Sequence, residues 1–335
     1  MSAFVRLTVA EAPAYLAAAG LVEPGEPLTL TELGGGVSSV VILAETPRRR
    51  LILKQALPKL RVQADWPSRP DRSAVEVAAI RAYAPYLPPG AVPVVRHADP
   101  ARYLFVMDAA PAAAANWKAQ LLAGTVDPAV ARRAGALLAA MHLGSASDPA
   151  VAVRFDDREF FHTLRVDPYL WQVCRVYPEL RPRIEPLVDD MLAHRQALVH
   201  GDYSPKNMLV HGDSLLILDF EVAHWGDPAF DLAFCLNHFL LKAVYKAPDS
   251  ERYLDLAGAF WAAYAPALAL EPAATLLPRT LLLQGGLMLA RIDGKSPAEY
   301  ITAPAMQERV RRISRRILAE RPQELAQTLA IVRTT

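Results

Sequence analysis

The sequence predicts an α+β protein of two lobes, a small antiparallel sheet with one long helix followed by a larger and mainly helical lobe. Three observations carry that expectation. The 335 residues are more than one core usually holds, which favours two lobes with a cleft between them. Runs rich in β-branched and apolar residues, divided by Gly and Pro, crowd into the first 108 residues, the pattern of short strands and turns. Beyond Asp108 the chain becomes Ala- and Leu-rich with helix-start signals. The boundary is placed in Ala109–Ala113, dividing residues 1–108 from 109–335.

The elements follow in order. Thr8-Val9-Ala10-Glu11 has capping-box spacing and predicts a short helix through Ala19, closed by Gly20. Residues 27–33, 37–45 and 49–57 read as three strands of an antiparallel meander, separated by Gly34-Gly35-Gly36 and by Thr46-Pro47-Arg48. Asp71 or Ser73 caps a helix over 74–87, and 93–108 supplies two further strands about a turn at Asp99-Pro100. Asp127, with Pro128 at the first helical position, opens a helix over 128–144. From there the chain reads as helical except around 198–221.

Composition narrows the function classes. Lys plus Arg number 36 against 35 Asp plus Glu, a net charge of +1, so nothing at this level points to nucleic acid or a membrane surface as partner. The first twenty residues lack a basic leader and an unbroken apolar run, so no secretory signal is expected. Leu277–Ile292 comes closest to a membrane span but is short and glycine-interrupted. Cys174 and Cys235 stand far apart in no metal-ligand spacing, which suits a reducing cytoplasm. A homodimer is compatible with the sequence. The basic run Arg309–Arg316 reads as a solvated helix.

The pentapeptide Leu-Val-His-Gly-Asp occurs twice, at 198–202 and 209–213. The second copy lies between apolar runs and reads as a hairpin turn. The first is followed by the irregular polar segment Tyr203-Ser204-Pro205-Lys206-Asn207, placing Asp202 at the lip of a loop. The hairpin then returns the chain to Asp219-Phe220-Glu221, which brings Asp202, Asn207, Asp219 and Glu221 together. Phosphoryl transfer needs such a set: a carboxylate to take the proton of an attacking hydroxyl, and oxygen ligands for magnesium. Asp202 suits the first task, and Asn207, Asp219 and Glu221 the second.

His200-Gly201-Asp202 with Asn207, followed by Ile217-Leu218-Asp219, resembles the catalytic loop and metal segment of the aminoglycoside phosphotransferase and choline kinase-like small-molecule kinases. That resemblance implies a protein-kinase-like fold, ATP, Mg²⁺ and a small-molecule hydroxyl acceptor. It also implies a phosphate-binding strand lysine, a helix glutamate paired with it and a glycine-rich turn. Lys54, Glu76 and Gly34-Gly35-Gly36-Val37-Ser38-Ser39 stand in the required order, with Ser38 and Ser39 counted among the nucleotide contacts. Met107, Asp108 and Ala110 fall at the implied hinge, where backbone groups meet adenine. Asp231 matches the helix aspartate that supports the catalytic loop, and His200 is expected to position rather than to transfer protons.

Lys54-Gln55-Ala56-Leu57-Pro58 and the Trp66-bearing stretch that follows are similar to methylthioribose kinases, as is Asp219-Phe220-Glu221 to their Asp-x-Glu metal motif. The likeness is best in the N-terminal lobe. It departs after Asp202, where Asn207 follows the aminoglycoside-kinase pattern, and in the paired substrate arginines, for which Arg291 is a single candidate. Trp66, Tyr203, Trp225 and Arg291 are the candidate acceptor contacts, with His224 beside them. The expected activity is ATP-dependent phosphoryl transfer to a hydroxyl of a sugar or ribose-like metabolite. An antibiotic kinase of the aminoglycoside type and a non-catalytic nucleotide-binding scaffold are the alternatives. A metal-dependent hydrolase built on His200, Asp202, Asp219 and His224 would leave Lys54 and Glu76 without a task.

Overall fold

Alternation along two strands decides which way the small sheet faces. On the strand Arg50–Ala56, Leu51 and Leu53 pack with Leu7, Ala12, Leu16 and Val22 of the N-terminal segment. Ile52, on the opposite face, joins the main core, so Lys54 two residues on points to the same side, towards the cleft. Leu104 and Val106 likewise face the N-terminal helix, while Phe105 and Met107 face the main core. This computed structural model describes residues 4–34, 38–61 and 66–335.

The first lobe comprises α1 (Ala12–Ala18), β1 (Thr29–Glu32), β2 (Ser39–Glu45), β3 (Arg50–Ala56), α2 (Arg72–Tyr83), β4 (Val95–Asp99) and β5 (Leu104–Asp108). Its five strands are antiparallel in the order β1-β2-β3-β5-β4. Helix α1 begins later than the capping-box spacing predicts. The Thr8 hydroxyl donates to Glu11 Oε2 at 2.8 Å instead of accepting from a first-turn amide. Helix α2 begins at Arg72, and Asp71 leaves its helix end uncapped because its carboxylate is taken by Arg69.

The second lobe opens with β6 (Ala115–Asn116), α3 (Trp117–Leu122), α4 (Pro128–Ala146), α5 (Pro149–Arg154) and α6 (Glu159–Phe161). A π-helical stretch, His162–Trp171, follows and runs into α7 (Gln172–Val176) and α8 (Arg181–Ala193). Its wide turns accommodate Pro168, which has no amide to give an ordinary helical ladder. Then come β7 (Ala197–Val199), the hairpin β8 (Met208–His211) and β9 (Ser214–Ile217), and β10 (His224–Gly226). The lobe ends in α9 (Pro228–Tyr245), α10 (Ser250–Tyr264), α11 (Ala273–Asp293), α12 (Pro304–Glu320) and α13 (Leu325–Thr334).

The sequence expectation about Leu277–Ile292 needs correction. Helix α11 is 21 residues long and, by length and composition alone, apolar enough to cross a membrane; 78% of its most apolar window is buried inside the protein. Its glycines do not interrupt it. A Cβ at Gly285 would lie 2.9 Å from Ile317 Cγ2, and one at Gly286 2.8 Å from Leu170 Cδ2. They are where neighbouring side chains press against the helix backbone.

Candidate active site

The loop after β7 is held from beneath. Gly201 has φ +77°, and a Cβ there would come within 2.8 Å of the Val222 carbonyl, so glycine is required. Asp231, in the first turn of α9, accepts from the amides of His200 at 2.7 Å and Gly201 at 2.8 Å. The His200 ring joins Leu218 O at 3.1 Å through Nε2 and accepts the Asp202 amide at Nδ1, also 3.1 Å. Burial holds this imidazole below its ordinary pKa, which suits the neutral tautomer those bonds require. His200 and Asp231 therefore shape the loop, as the sequence suggested.

The Asp202 carboxylate is buried among donors. Asn207 Nδ2 donates to it at 2.8 Å, Arg165 Nη2 lies at 2.8 Å and Lys206 Nζ at 3.3 Å. Burial alone would raise its pKa; Arg165 and then Lys206 overcome that and hold it below the usual carboxylate value. An ionised, hydrogen-bonded carboxylate at the mouth of a loop can accept a proton. Arg165 comes from the π-helical stretch and also donates from Nε to the Gly201 carbonyl at 2.9 Å.

Across from it stands a second charged group. Lys54 Nζ bridges Glu76 Oε1 at 2.7 Å and Asp219 Oδ1 at 2.6 Å. Asp219 has φ +71°, a backbone region that non-glycine residues rarely adopt. Glu221 is bound by Arg72 Nε at 2.9 Å, with both side chains nearly or wholly buried. Burial raises the Glu76 carboxyl, Lys54 opposes this, and the Asp219 and Glu221 charges add to it, bringing the group up to about 7. One oxygen from each of Glu76, Asp219 and Glu221 falls within 4.8 Å of the others. This all-oxygen, anionic donor set fits a hard divalent cation such as Mg²⁺. Asn207 spends its amide nitrogen on Asp202, leaving Oδ1 as the oxygen it can offer.

Both groups face one cavity of about 1140 Å³, whose walls come from both lobes. Of the residues predicted from sequence, Gly34, Ser38, Ser39, Lys54, Trp66, Glu76, Met107, Asp202, Asn207, Asp219, Glu221 and Arg291 line it. Gly35 and Gly36 lie outside the described residues. Trp66 packs on Leu164 and Val222 and borders the cavity. Of the hinge residues only Met107 reaches the cavity. Asp108 turns to Arg96, at 2.6 and 2.7 Å, and the Ala110 carbonyl is taken by Arg50.

Three expectations are corrected. Tyr203 is fully buried, its hydroxyl donating to the Ala134 carbonyl at 2.7 Å, so it packs under the loop instead of meeting an acceptor. Trp225 lies beside Asp156 and Arg195 at a separate shallow depression. His224 is buried and stacked on Phe161 with centroids 3.8 Å apart. Both lie on β10, which pairs with β7, and neither lines the cavity. Sequence reasoning missed Arg72, Arg165, Lys206, Lys118 and His238. Of these Lys206 was within reach, four residues after Asp202; Arg72, Arg165 and Lys118 meet partners far along the chain, and His238 is brought to the cavity by the fold alone.

The sequence profile of the phosphotransferase enzyme family matches residues 29–270. Methylthioribose kinase of Klebsiella pneumoniae is 28% identical over 276 residues, covering 72% of this chain and 67% of that protein. Methylthioribose kinase of Geobacillus thermodenitrificans is 27% identical over 279 residues, covering 75% and 70%. Among solved structures, an amicoumacin kinase in complex with AMP-PNP, Ca²⁺ and Ami superposes with a TM-score of 0.56 at 17% identity, covering 94% of this chain and 96% of that one. A spectinomycin phosphotransferase with ADP and spectinomycin gives 0.52 at 11%, covering 98% and 99%. These two likenesses show the fold, the two-lobed protein-kinase-like architecture expected from sequence.

Proposed function

The chain belongs to the phosphotransferase enzyme family and is a small-molecule kinase; from that premise we propose that it moves the γ-phosphoryl group of ATP to a hydroxyl of a sugar-like acceptor. Residues 1–108 form the nucleotide lobe and 109–335 the catalytic and acceptor lobe, and the reaction is placed in the cytoplasm. The observation that carries this reading is the cavity itself, in which the Lys54–Glu76–Asp219 group and the Asp202 group face one space. The methylthioribose kinases among its relatives support a ribose-like acceptor.

Each residue has a derived task. Asp202, ionised and oriented by Asn207 and Arg165, takes the acceptor's hydroxyl proton as the new oxygen–phosphorus bond forms and the bond to the β–γ bridging oxygen breaks. Lys54, fixed by Glu76, meets the α- and β-phosphates, while Gly34, Ser38 and Ser39 cover them and Met107 borders the adenine. Asp219, Glu221 and Asn207 would hold magnesium, which when bound neutralises charge on the phosphate oxygens. Arg72 keeps Glu221 turned into the cavity.

The test is acceptor-dependent ADP release by the purified protein over pentoses, methylthioribose, aminoglycosides and choline, with the product identified by phosphorus NMR. Release with a ribose-like acceptor, absent in Asp202→Asn, is the expected result. Release with aminoglycosides alone would move the protein to the antibiotic kinases. Nucleotide binding with no transfer to any acceptor would support the scaffold reading.

A further inference from the structure

Beyond Asp202 the cavity reaches between α3, α9 and the segment 291–299, and there its charges are largely of one sign. Lys118, Lys206, Arg291 and Lys295 line it with His238, against one further carboxylate, Glu299. Three of these cations have counter-charges. Lys206 faces Asp202 at 3.3 Å, Lys118 is taken by Glu299, and Lys295 lies 3.6 Å from Asp167.

Arg291 has none among the described residues. Its guanidinium meets the Tyr169 hydroxyl at 3.4 Å, the Ser296 hydroxyl at 2.9 Å and the Ser296 carbonyl, and its buried Nε has no acceptor. Behind it Lys242 of α9 is wholly buried. The Lys242 ammonium reaches the His238 carbonyl at 3.2 Å and sits 5.4 Å from the centre of the Tyr300 ring, again with no carboxylate. His238 Nδ1 and the Tyr300 hydroxyl are also buried without partners. Burial, then Lys118 and Arg291, push Lys242 down to about 7, and burial with the same surrounding cations holds His238 well below its ordinary value.

Buried cations without counter-charge, beside unsatisfied donors, are costly to a fold and are offset by a ligand of opposite sign. Arg291 stands one tyrosine away from the reacting end: Tyr169 is four residues from Arg165, which holds Asp202 at 2.8 Å. We propose that the acceptor carries an anionic group, a carboxylate or a phosphate, seated between Arg291, His238 and Lys295 while its hydroxyl faces Asp202. The proposal rests on the kinase reading and deepens it by giving the acceptor a charge. Polycationic acceptors are disfavoured by the same geometry, since they would place like charge against Arg291 and Lys118.

Isothermal titration in saturating ADP and Mg²⁺, which occupies the nucleotide end, compares ribose with ribose 5-phosphate and ribonate. At least one anion is expected to bind about tenfold or more tightly than ribose, and the tighter of the two tells phosphate from carboxylate. Arg291→Met should weaken the anion by about thirtyfold and leave ribose little changed. Lys295→Gln, at a partly exposed position where folding is safe, should weaken it severalfold. ADP binding retained in each variant shows an intact fold. Ribose binding as tightly as both anions, no binding by either anion, or a preference that survives both substitutions would overturn the proposal. Anion binding without any nucleotide binding would instead overturn the kinase reading and leave the anion site standing.

Discussion

Asp202 has three cationic or amide donors on a single buried carboxylate, and that crowding fixes both its orientation and its charge. Replacing it by Asn removes the proton acceptor while keeping the shape, so kcat should fall by about 10²–10⁴ with ADP affinity nearly unchanged. Asp213, in the other copy of the pentapeptide, is fully exposed and pairs with Arg133 at 3.0 Å. Asp213→Ala should leave turnover as it is; equal losses in the two variants would refute the assignment. The same donors set the pH dependence. A carboxyl held below its usual value stays ionised, and useful as a base, until pH falls through that lowered value. Asp202 should therefore add no acid limb to the wild-type rate at or above the ordinary carboxylate value, and a fall nearer neutrality belongs to Glu76. Arg165→Met removes the larger of the two opposing charges, so the acid limb should move upward into view. A limb that stays put would mean that Asp202 is not the titrating base.

At the scale of elements, α2 does two jobs with one face. Arg72 and Glu76 are four residues apart and so project from the same side of the helix, one to Glu221 and the other to Lys54. Glu76 was legible because its order after Lys54 is a pattern. Arg72 was not, because its partner lies 149 residues away and no local spacing announces it. Arg72→Met leaves the buried Glu221 without a counter-charge and should cost about 3–5 kcal/mol, read from urea unfolding. Adding Glu221→Gln removes the orphaned charge and should return part of that loss. If the double variant is no more stable than the single one, the pair is not what Arg72 contributes. Arg165 was hidden for a related reason: a π-helical stretch around Pro168 has no periodicity that marks one of its residues as facing a cavity.

For the whole molecule, the legible part is what local chemistry dictates: the meander, the strand that carries Lys54, and the hairpin that returns the chain to Asp219. What stayed hidden is the charge that each lobe lends the other. Lys54 is the centre of that exchange, joining a glutamate of the first lobe to an aspartate of the second, 165 residues away. Without its ammonium, three carboxylates gathered within 4.8 Å would be left with Arg72 as their bonded cation. At an effective dielectric of about 20, two unit charges at that distance repel by about 3 kcal/mol. Lys54→Met should thus lose turnover and also loosen the contact between the lobes, lowering Tm. It should also gain something the wild type lacks: with no ammonium in the way, Mg²⁺ alone has three anionic oxygens to bind. Thermal unfolding in MgCl₂, matched in ionic strength with NaCl, should then raise the Tm of the variant by more than that of the wild type. Were the two proteins to respond equally, the three carboxylates would not form a common cation site, and the role given to Asp219 and Glu221 would fall with it.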